Sequence, residues 1–274
     1  MMRHSWVDGQ KATSVPLDDR GLNYADGAFE TVLCRSGRIA CLSSHEERLA
    51  AALSALEFDT PQIIARSLLG EAQQCLLQVE HTGPARLTVT RGSGPRGYAP
   101  PTQAKPRYIL TTSAPPDTRS SSWRCGIAAT RWQNQPQLAG LKLLARTEQV
   151  LAAREATVRG WDDVLMLDSQ DRVISSGKGN VVLIVDNAAL TPALNRSGIA
   201  GTRRKILIEA VLPTLGYRVE VRDVSMDDVF RADCVMISNT LVGAVAVASI
   251  NQHFFTNYEH AFNTIHTALR EHIN

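Results

Sequence analysis

The stretch Leu138-Ala139-Gly140-Leu141-Lys142-Leu143-Leu144-Ala145 sets a single lysine in an apolar run. Lysine is scarce in this chain: only Lys11, Lys105, Lys142, Lys178 and Lys205 are present, and arginine carries nearly all of the positive charge. Lys11 follows a turn, Lys105 lies in a proline-rich loop and Lys205 stands beside Arg203 and Arg204, all settings that suit a solvated side chain. Lys142 differs from them. Desolvation disfavours an ammonium group and lowers its pKa, which is what an amine needs to form a Schiff base with an aldehyde. A lysine snorkelling at the end of a helix accounts for the same local sequence, so both readings stand at this point.

Outward from Lys142, a helix is expected over Leu143 to Arg159. Upstream, Ser113 to Ser122 is polar, proline-bearing and aperiodic, the composition of an inter-domain linker. The expected division is therefore a small N-terminal domain over 1–113, a linker over 114–122 and a larger C-terminal domain over 123–274. In the first part, Asp8-Gly9 predicts a tight hairpin turn between Ser5–Val7 and Ala12–Val15, and Ser36-Gly37 a second between Phe29–Cys34 and Arg38–Leu42. Ser43-Ser44-His45-Glu46 reads as a capping box opening a helix. Strands are expected at Val181–Val185, Arg218–Val221, Val235–Ser238 and Val245–Ser249. Helices are expected at Thr202–Leu212, after Ser225, and from about Asn257. Strands and helices alternate too irregularly for a doubly wound sheet, so the pattern predicts an α+β protein of two domains with a barrel-like second domain.

Composition narrows the function classes. The chain of 274 residues is 44% hydrophobic and 20% charged, as ordinary globular proteins are. Its net charge of +2 gives no field strong enough to recruit nucleic acid or an anionic membrane. No apolar run reaches the ~18 residues of a membrane span, and no signal-peptide core is seen near the start. The five cysteines form no Cys-x-x-Cys and the seven histidines no metal-ligand spacing. A cytoplasmic, reduced, metal-free protein is the expectation.

Two further segments could carry chemistry. Gly198-Ile199-Ala200-Gly201-Thr202-Arg203-Arg204 puts glycines before a helix, whose free N–H groups suit a phosphate, although glycine before a helix is common in plain loops. Thr90-Arg91-Gly92-Ser93-Gly94-Pro95-Arg96-Gly97-Tyr98 closes a strand with two arginines and an aromatic ring. Arginine forks carboxylates bidentately, but a basic surface hairpin fits this pattern too.

Taken in order, Tyr24-Ala-Asp-Gly-Ala-Phe-Glu30, His45-Glu-Glu-Arg48-Leu, Arg91-Gly-Ser-Gly-Pro-Arg-Gly-Tyr98, Leu138-Ala-Gly-Leu-Lys142, Glu148-Gln-Val-Leu151, Asn180, Gly198-Ile-Ala-Gly-Thr-x-Arg204 and the run Asp233 to Asn239 resemble the fold-type-IV pyridoxal-phosphate enzymes. This class IV aminotransferase group includes D-amino-acid and branched-chain aminotransferases and aminodeoxychorismate lyase, and the Arg91–Tyr98 and Pro136–Lys142 segments are nearest to the lyase branch. The resemblance implies pyridoxal 5'-phosphate as cofactor, a homodimer, and 4-amino-4-deoxychorismate as the small-molecule substrate. It assigns Lys142 as the catalytic lysine, and Arg48, Gly201, Thr202, Arg203, Asn180, Asn239 and Thr240 as cofactor-binding residues. Phe29, Arg91, Arg96 and Tyr98 fall on the substrate side, the loop with Arg96 and Tyr98 reaching the partner subunit's site. The group's glutamate against the pyridine nitrogen falls on Ser175, and its asparagine after the lysine falls on Ala145. Serine cannot hold that nitrogen protonated as a carboxylate does, which weakens the electron sink. The rival readings are an aminotransferase on the same scaffold and a non-catalytic dimer of the same fold.

Overall fold

Asp8 and Gly9 both have positive φ, 49° and 79°, the backbone that a two-residue hairpin between right-twisted strands demands. The hairpin they form, Ser5–Val7 with Gln10–Lys11, opens a computed structural model that describes residues 3–115 and 122–273. Residues 116–121 of the expected linker lie outside the described residues. The chain divides into two units, Met1–Pro116 with Leu141–Ala145, and Asp117–Gly140 with Arg146–Asn274.

The first unit is built on a six-stranded antiparallel sheet in the order Gln10–Lys11, Ser5–Val7, Arg107–Thr112, Gly83–Thr90, Gly27–Arg35, Arg38–Ile39. Side chains alternate across a strand. Ala28, Val32, Cys34, Ala85, Leu87 and Val89 enter a core with Leu49, Leu53, Leu69 and Leu76 of the helices Leu42–Ala55 and Pro61–Gln78. The other face carries Phe29 paired with Thr88, and Thr31 paired with Arg86. The helix at Leu42 does not use the expected capping box. Cys41, left-handed at φ 53°, opens it with no side-chain cap bond, so Ser43 already lies inside the helix.

The lysine segment also departs from expectation. The helix predicted from Leu143 begins at Thr147, and Leu141–Ala145 instead runs beside the strand Gly27–Arg35. Phe29 N–H donates to the Lys142 carbonyl at 3.0 Å and Leu144 N–H to the Gly27 carbonyl at 3.1 Å. Arg38–Ile39 pairs only with the far end of that strand, leaving the backbone at 27–29 in need of partners, and the segment supplies them. Leu143 joins the first unit's core. Residues 141–145 thus belong with the first unit, not with 123–274.

The second unit is a nine-stranded mixed sheet. Its order is Arg218–Arg222, Ala188–Pro192, Asn180–Val185, Cys234–Asn239, Gly243–Ile250, Ser122–Ile127, Asp163–Leu167, Val173–Ser176, with His253–Phe254 paired to Gly243–Ile250. Val173 N–H donates to the Val224 carbonyl at 2.8 Å, which brings the sheet's last strand to the segment that follows its first and gives the barrel-like curvature. One face packs Leu165, Val181, Leu183, Val235 and Ile237 together. The other lies under a helix spanning 202–214, with a π-helical turn at Leu207–Val211, and the helix Glu259–Ile273. A capping box does form at Ser225, where Ser225 Oγ accepts from Asp228 N and the Asp228 carboxylate from Ser225 N. Among the described residues no helix is long and apolar enough to cross a membrane.

If Leu141–Ala145 is an integral part of the first unit, Leu143→Ala should lower its unfolding free energy by roughly 2–5 kcal/mol, as buried leucine truncations do. Urea titration followed by circular dichroism reads this out, and a loss below about 0.5 kcal/mol, the scale of surface substitutions, would show the segment to be only loosely attached.

Candidate active site

Lys142 is half-buried, with Nζ 4.2 Å from the centre of the Phe29 ring. Arg86 approaches the same ring, its guanidinium carbon 3.7 Å from the centre, while its Nε donates to Thr88 Oγ1 at 3.2 Å. An aromatic quadrupole attracts cations, and the strand register places Phe29 and Arg86 on one face of the sheet. Phe29 is therefore brought to Lys142. Arg86 was not singled out in the sequence. Its signal is the alternation Arg86-Leu87-Thr88-Val89, which sets it opposite the core residues.

Glu30, the next residue along the strand, turns to the opposite face and is wholly buried. His45 Nδ1 lies 2.6 Å from its Oε2, and Arg48 forks it, with Nε 2.8 Å from Oε1 and Nη2 2.5 Å from Oε2. The i, i+3 spacing of His45 and Arg48 puts both on one side of the helix Leu42–Ala55. Burial alone would raise the Glu30 pKa. The Arg48 charge and its hydrogen bond, joined by those of His45, overcome burial and lower it to about 2. Arg48, expected to grip phosphate, is thus held in place by a carboxylate beneath the sheet.

Arg91 and Arg96 part company. Arg91, expected to bind substrate, is buried: Nε donates to Asp26 Oδ2 at 2.8 Å, Nη2 to the Leu56 carbonyl, and its guanidinium lies 4.1 Å from the Phe58 ring centre. The geometry gives it a structural role, because its donors are already turned inward. Arg96 and Tyr98 are exposed.

In the second unit, Thr202 starts the 202–214 helix, and its Oγ1 lies 3.4 Å from Thr240 Oγ1, both side chains buried. Ser238 pairs across the ladder with Asn180, so the two share a face of the sheet. The buried Ser238 Oγ has no hydrogen-bond partner among the described residues. Asn180 Nδ2 donates to the Ile199 carbonyl at 2.8 Å, and its Oδ1 fills the space that a Cβ on Gly201 would need. Asn239 Oδ1 accepts from Leu241 N and Val242 N, at 2.9 and 3.0 Å, tying the turn that carries Thr240. Arg203 is buried in the helix. Main-chain donors at a helix start and the Thr202 and Thr240 hydroxyls are groups that could hold a phosphate. Ser175, buried on Val173–Ser176, donates its hydroxyl proton to the Ser176 carbonyl at 2.7 Å.

The architecture is that of the fold-type-IV enzymes. The sequence profile described as amino-transferase class IV matches residues 27–250, and the chain belongs to that pyridoxal-phosphate-dependent family. It is 34% identical over 251 residues to an aminodeoxychorismate lyase of Vibrio harveyi, covering 90% of this chain and 91% of that one. The crystal structure of a 4-amino-4-deoxychorismate lyase from Pseudomonas aeruginosa superposes with a TM-score of 0.90 at 36% identity, covering 97% of this chain and 98% of that one. A putative branched-chain-amino-acid aminotransferase of Methanocaldococcus jannaschii is 28% identical over 253 residues, covering 90% and 86%.

Because the Glu30 pKa lies below its ordinary 4.5, the Glu30 pairing stabilises the fold fully above that value and is lost as pH falls toward 2. Glu30→Gln should cost on the order of 3 kcal/mol at neutral pH and show a flatter acid limb below pH ~4.5. Unfolding free energies measured from pH 7 down to 2 test this, and parallel wild-type and variant curves would refute it.

Proposed function

We propose that the chain is an aminodeoxychorismate lyase, acting with pyridoxal phosphate to convert 4-amino-4-deoxychorismate into p-aminobenzoate and pyruvate, the step that serves folate synthesis. The observation that carries this reading is the placement of Lys142 and Arg86 on one Phe29 ring, an amine beside a fixed cation. That pairing suits a ring substrate bearing both an amino group and carboxylates. The similarity to two lyases over most of the chain supports it.

Bound pyridoxal phosphate supplies an aldehyde for amines and a conjugated ring that takes up carbanion charge. Lys142 would hold the aldehyde. Its amine would take the proton from C4 of the substrate ring, and the C–O bond to the enolpyruvyl group breaks as the ring becomes aromatic. Lys142 or water then protonates the departing enolpyruvyl carbon to give pyruvate. Arg86 and Arg96 bind the substrate carboxylates, Phe29 supports the ring, and Tyr98 flanks it. By the family resemblance, the Gly201, Thr202 and Arg203 amides, the Thr202 and Thr240 hydroxyls and Arg48 would hold the phosphate. Asn180 and Asn239 shape the turns that present them. The working unit is a homodimer, as the family resemblance implies.

Ser175 favours the lyase over an aminotransferase. Its hydroxyl is engaged with the Ser176 carbonyl and brings no negative charge to hold a ring nitrogen protonated. Elimination gains aromaticity in the product and tolerates a weaker sink, whereas transamination has no such compensation.

Borohydride reduction of the loaded protein, followed by peptide mapping, should place the pyridoxyl label on Lys142, and pyruvate should appear on incubation with 4-amino-4-deoxychorismate. A label on Lys178 or Lys205 sinks the lysine assignment, and efficient transamination by the native protein, or neither reaction with cofactor bound, sinks the lyase reading. Ser175→Glu should raise transaminase side activity measured with amino and keto acid pairs. No change would mean that Ser175 is not the nitrogen's neighbour.

A further inference from the structure

The loop bearing Arg96 and Tyr98 turns its side chains outward, Tyr98 being 88% exposed, yet its main chain is held from beneath by a buried guanidinium. Arg20, 2% exposed, donates through Nη1 to the carbonyls of Gly97 and Ala99, at 2.9 and 3.3 Å, and through Nη2 to the carbonyl of Tyr98 at 2.6 Å. Its Nε is paired with Asp26 Oδ2 at 2.8 Å, which meets the cost of burying the charge. Tyr24 completes the hold. Its hydroxyl accepts from Gly97 N–H at 2.8 Å, its ring lies 4.8 Å below the Arg20 guanidinium, and the Tyr98 ring meets it edge-on at 5.7 Å. Gly94 is required for the loop to pass, because a Cβ there would lie 2.9 Å from Arg20 Cδ.

Carbonyls in an exposed loop are ordinarily solvated by water, which leaves the backbone free to turn. Here three successive ones are bound by a single planar fork. Lysine, with its donors on one point, cannot reach all three and Asp26 together. The ordering of the loop is therefore met during folding and not when a ligand arrives, which is the condition for tight recognition by an exposed segment.

We infer that Arg20 is a positioning residue for substrate recognition: it fixes the main chain of 97–99 and thereby the direction in which Arg96 meets the carboxylate-bearing substrate. What the loop recognises rests on the lyase reading above, whereas the clamp rests on geometry alone.

The test uses the cofactor-loaded enzyme with Arg20→Lys, Tyr24→Phe, Arg96→Ala and the double variant Arg20→Lys/Arg96→Ala. Hydrogen exchange of the peptide covering 92–101 should quicken several-fold in Arg20→Lys and less in Tyr24→Phe. KM for 4-amino-4-deoxychorismate should rise roughly tenfold in Arg20→Lys with kcat within about twofold, and Arg20→Lys should add nothing to KM once Arg96 is alanine. Unchanged exchange overturns the clamp. A KM increase that persists in the Arg96→Ala background, or a fall in kcat with KM unaltered, overturns the recognition role. If Arg20→Lys does not fold, Tyr24→Phe, which deletes one hydroxyl, decides by the same two readouts. A wild-type enzyme that releases no pyruvate defeats the lyase reading, and exchange then decides the clamp by itself.

Discussion

Two main-chain hydrogen bonds, from Phe29 N–H to the Lys142 carbonyl and from Leu144 N–H to the Gly27 carbonyl, set where the lysine stands. A strand edge cannot be left buried and unpaired, so five residues far along the chain are drawn to it. The neighbouring residue Gly140 is fixed separately within the second unit, its N–H on the Gly198 carbonyl and its own carbonyl accepting from Ala200. Within the first unit, pairing with the strand Gly27–Arg35 fixes the main chain of Lys142 and leaves its side chain little freedom beyond its own rotamers. Its neighbours Phe29 and Arg86 follow from the strand register. The chemistry attributed to Lys142 is thus a consequence of sheet pairing.

Charge in the first unit is arranged on the same economical plan. Glu30 holds Arg48 and His45; Asp26 accepts from both Arg20 and Arg91 on one oxygen; Asp19 takes Arg107 and Thr90. Buried charges persist only when paired in good geometry, and removing one partner strands the other. The result is a sorting of arginines. Arg20, Arg91 and Arg107 are each held by a carboxylate of the unit, whereas Arg86 and Arg96 face outward. The strand alternation marks Arg86 in the sequence, but nothing local separates Arg91 from Arg96 in the same loop.

What could be read from the sequence divides along the same line. Asp8-Gly9 and Ser225 were legible because a tight turn and a helix cap are decided within a few residues. The barrel-like second unit and the strands Asn180–Val185, Cys234–Asn239 and Gly243–Ile250 were legible from apolar runs. Val173–Ser176 and Ala188–Pro192, four and five residues long, are too short for their alternation to stand out in the sequence. Leu143 was read as helical because its apolar spacing is ambiguous, and the deciding partner, Gly27, is remote. Arg20 left no local trace, since its carbonyl partners lie 77 to 79 residues away. Arg91 misled for the same reason, its role being set by Asp26 and the end of a helix.

The Asn180 amide and the bare Cα of Gly201 occupy complementary volumes. In the language of inheritance these two positions form one allele. A mutational library randomised at 201 alone would return glycine, because any side chain there evicts the amide and leaves the Ile199 carbonyl without its donor. Alternatives open only to a molecule in which residue 180 has shortened at the same time, and the first of the two changes to arise is the damaging one. Drift at the start of the 202–214 helix is therefore blocked by a valley and not by a slope. Recombination between distant relatives should exchange the two positions as a block or not at all.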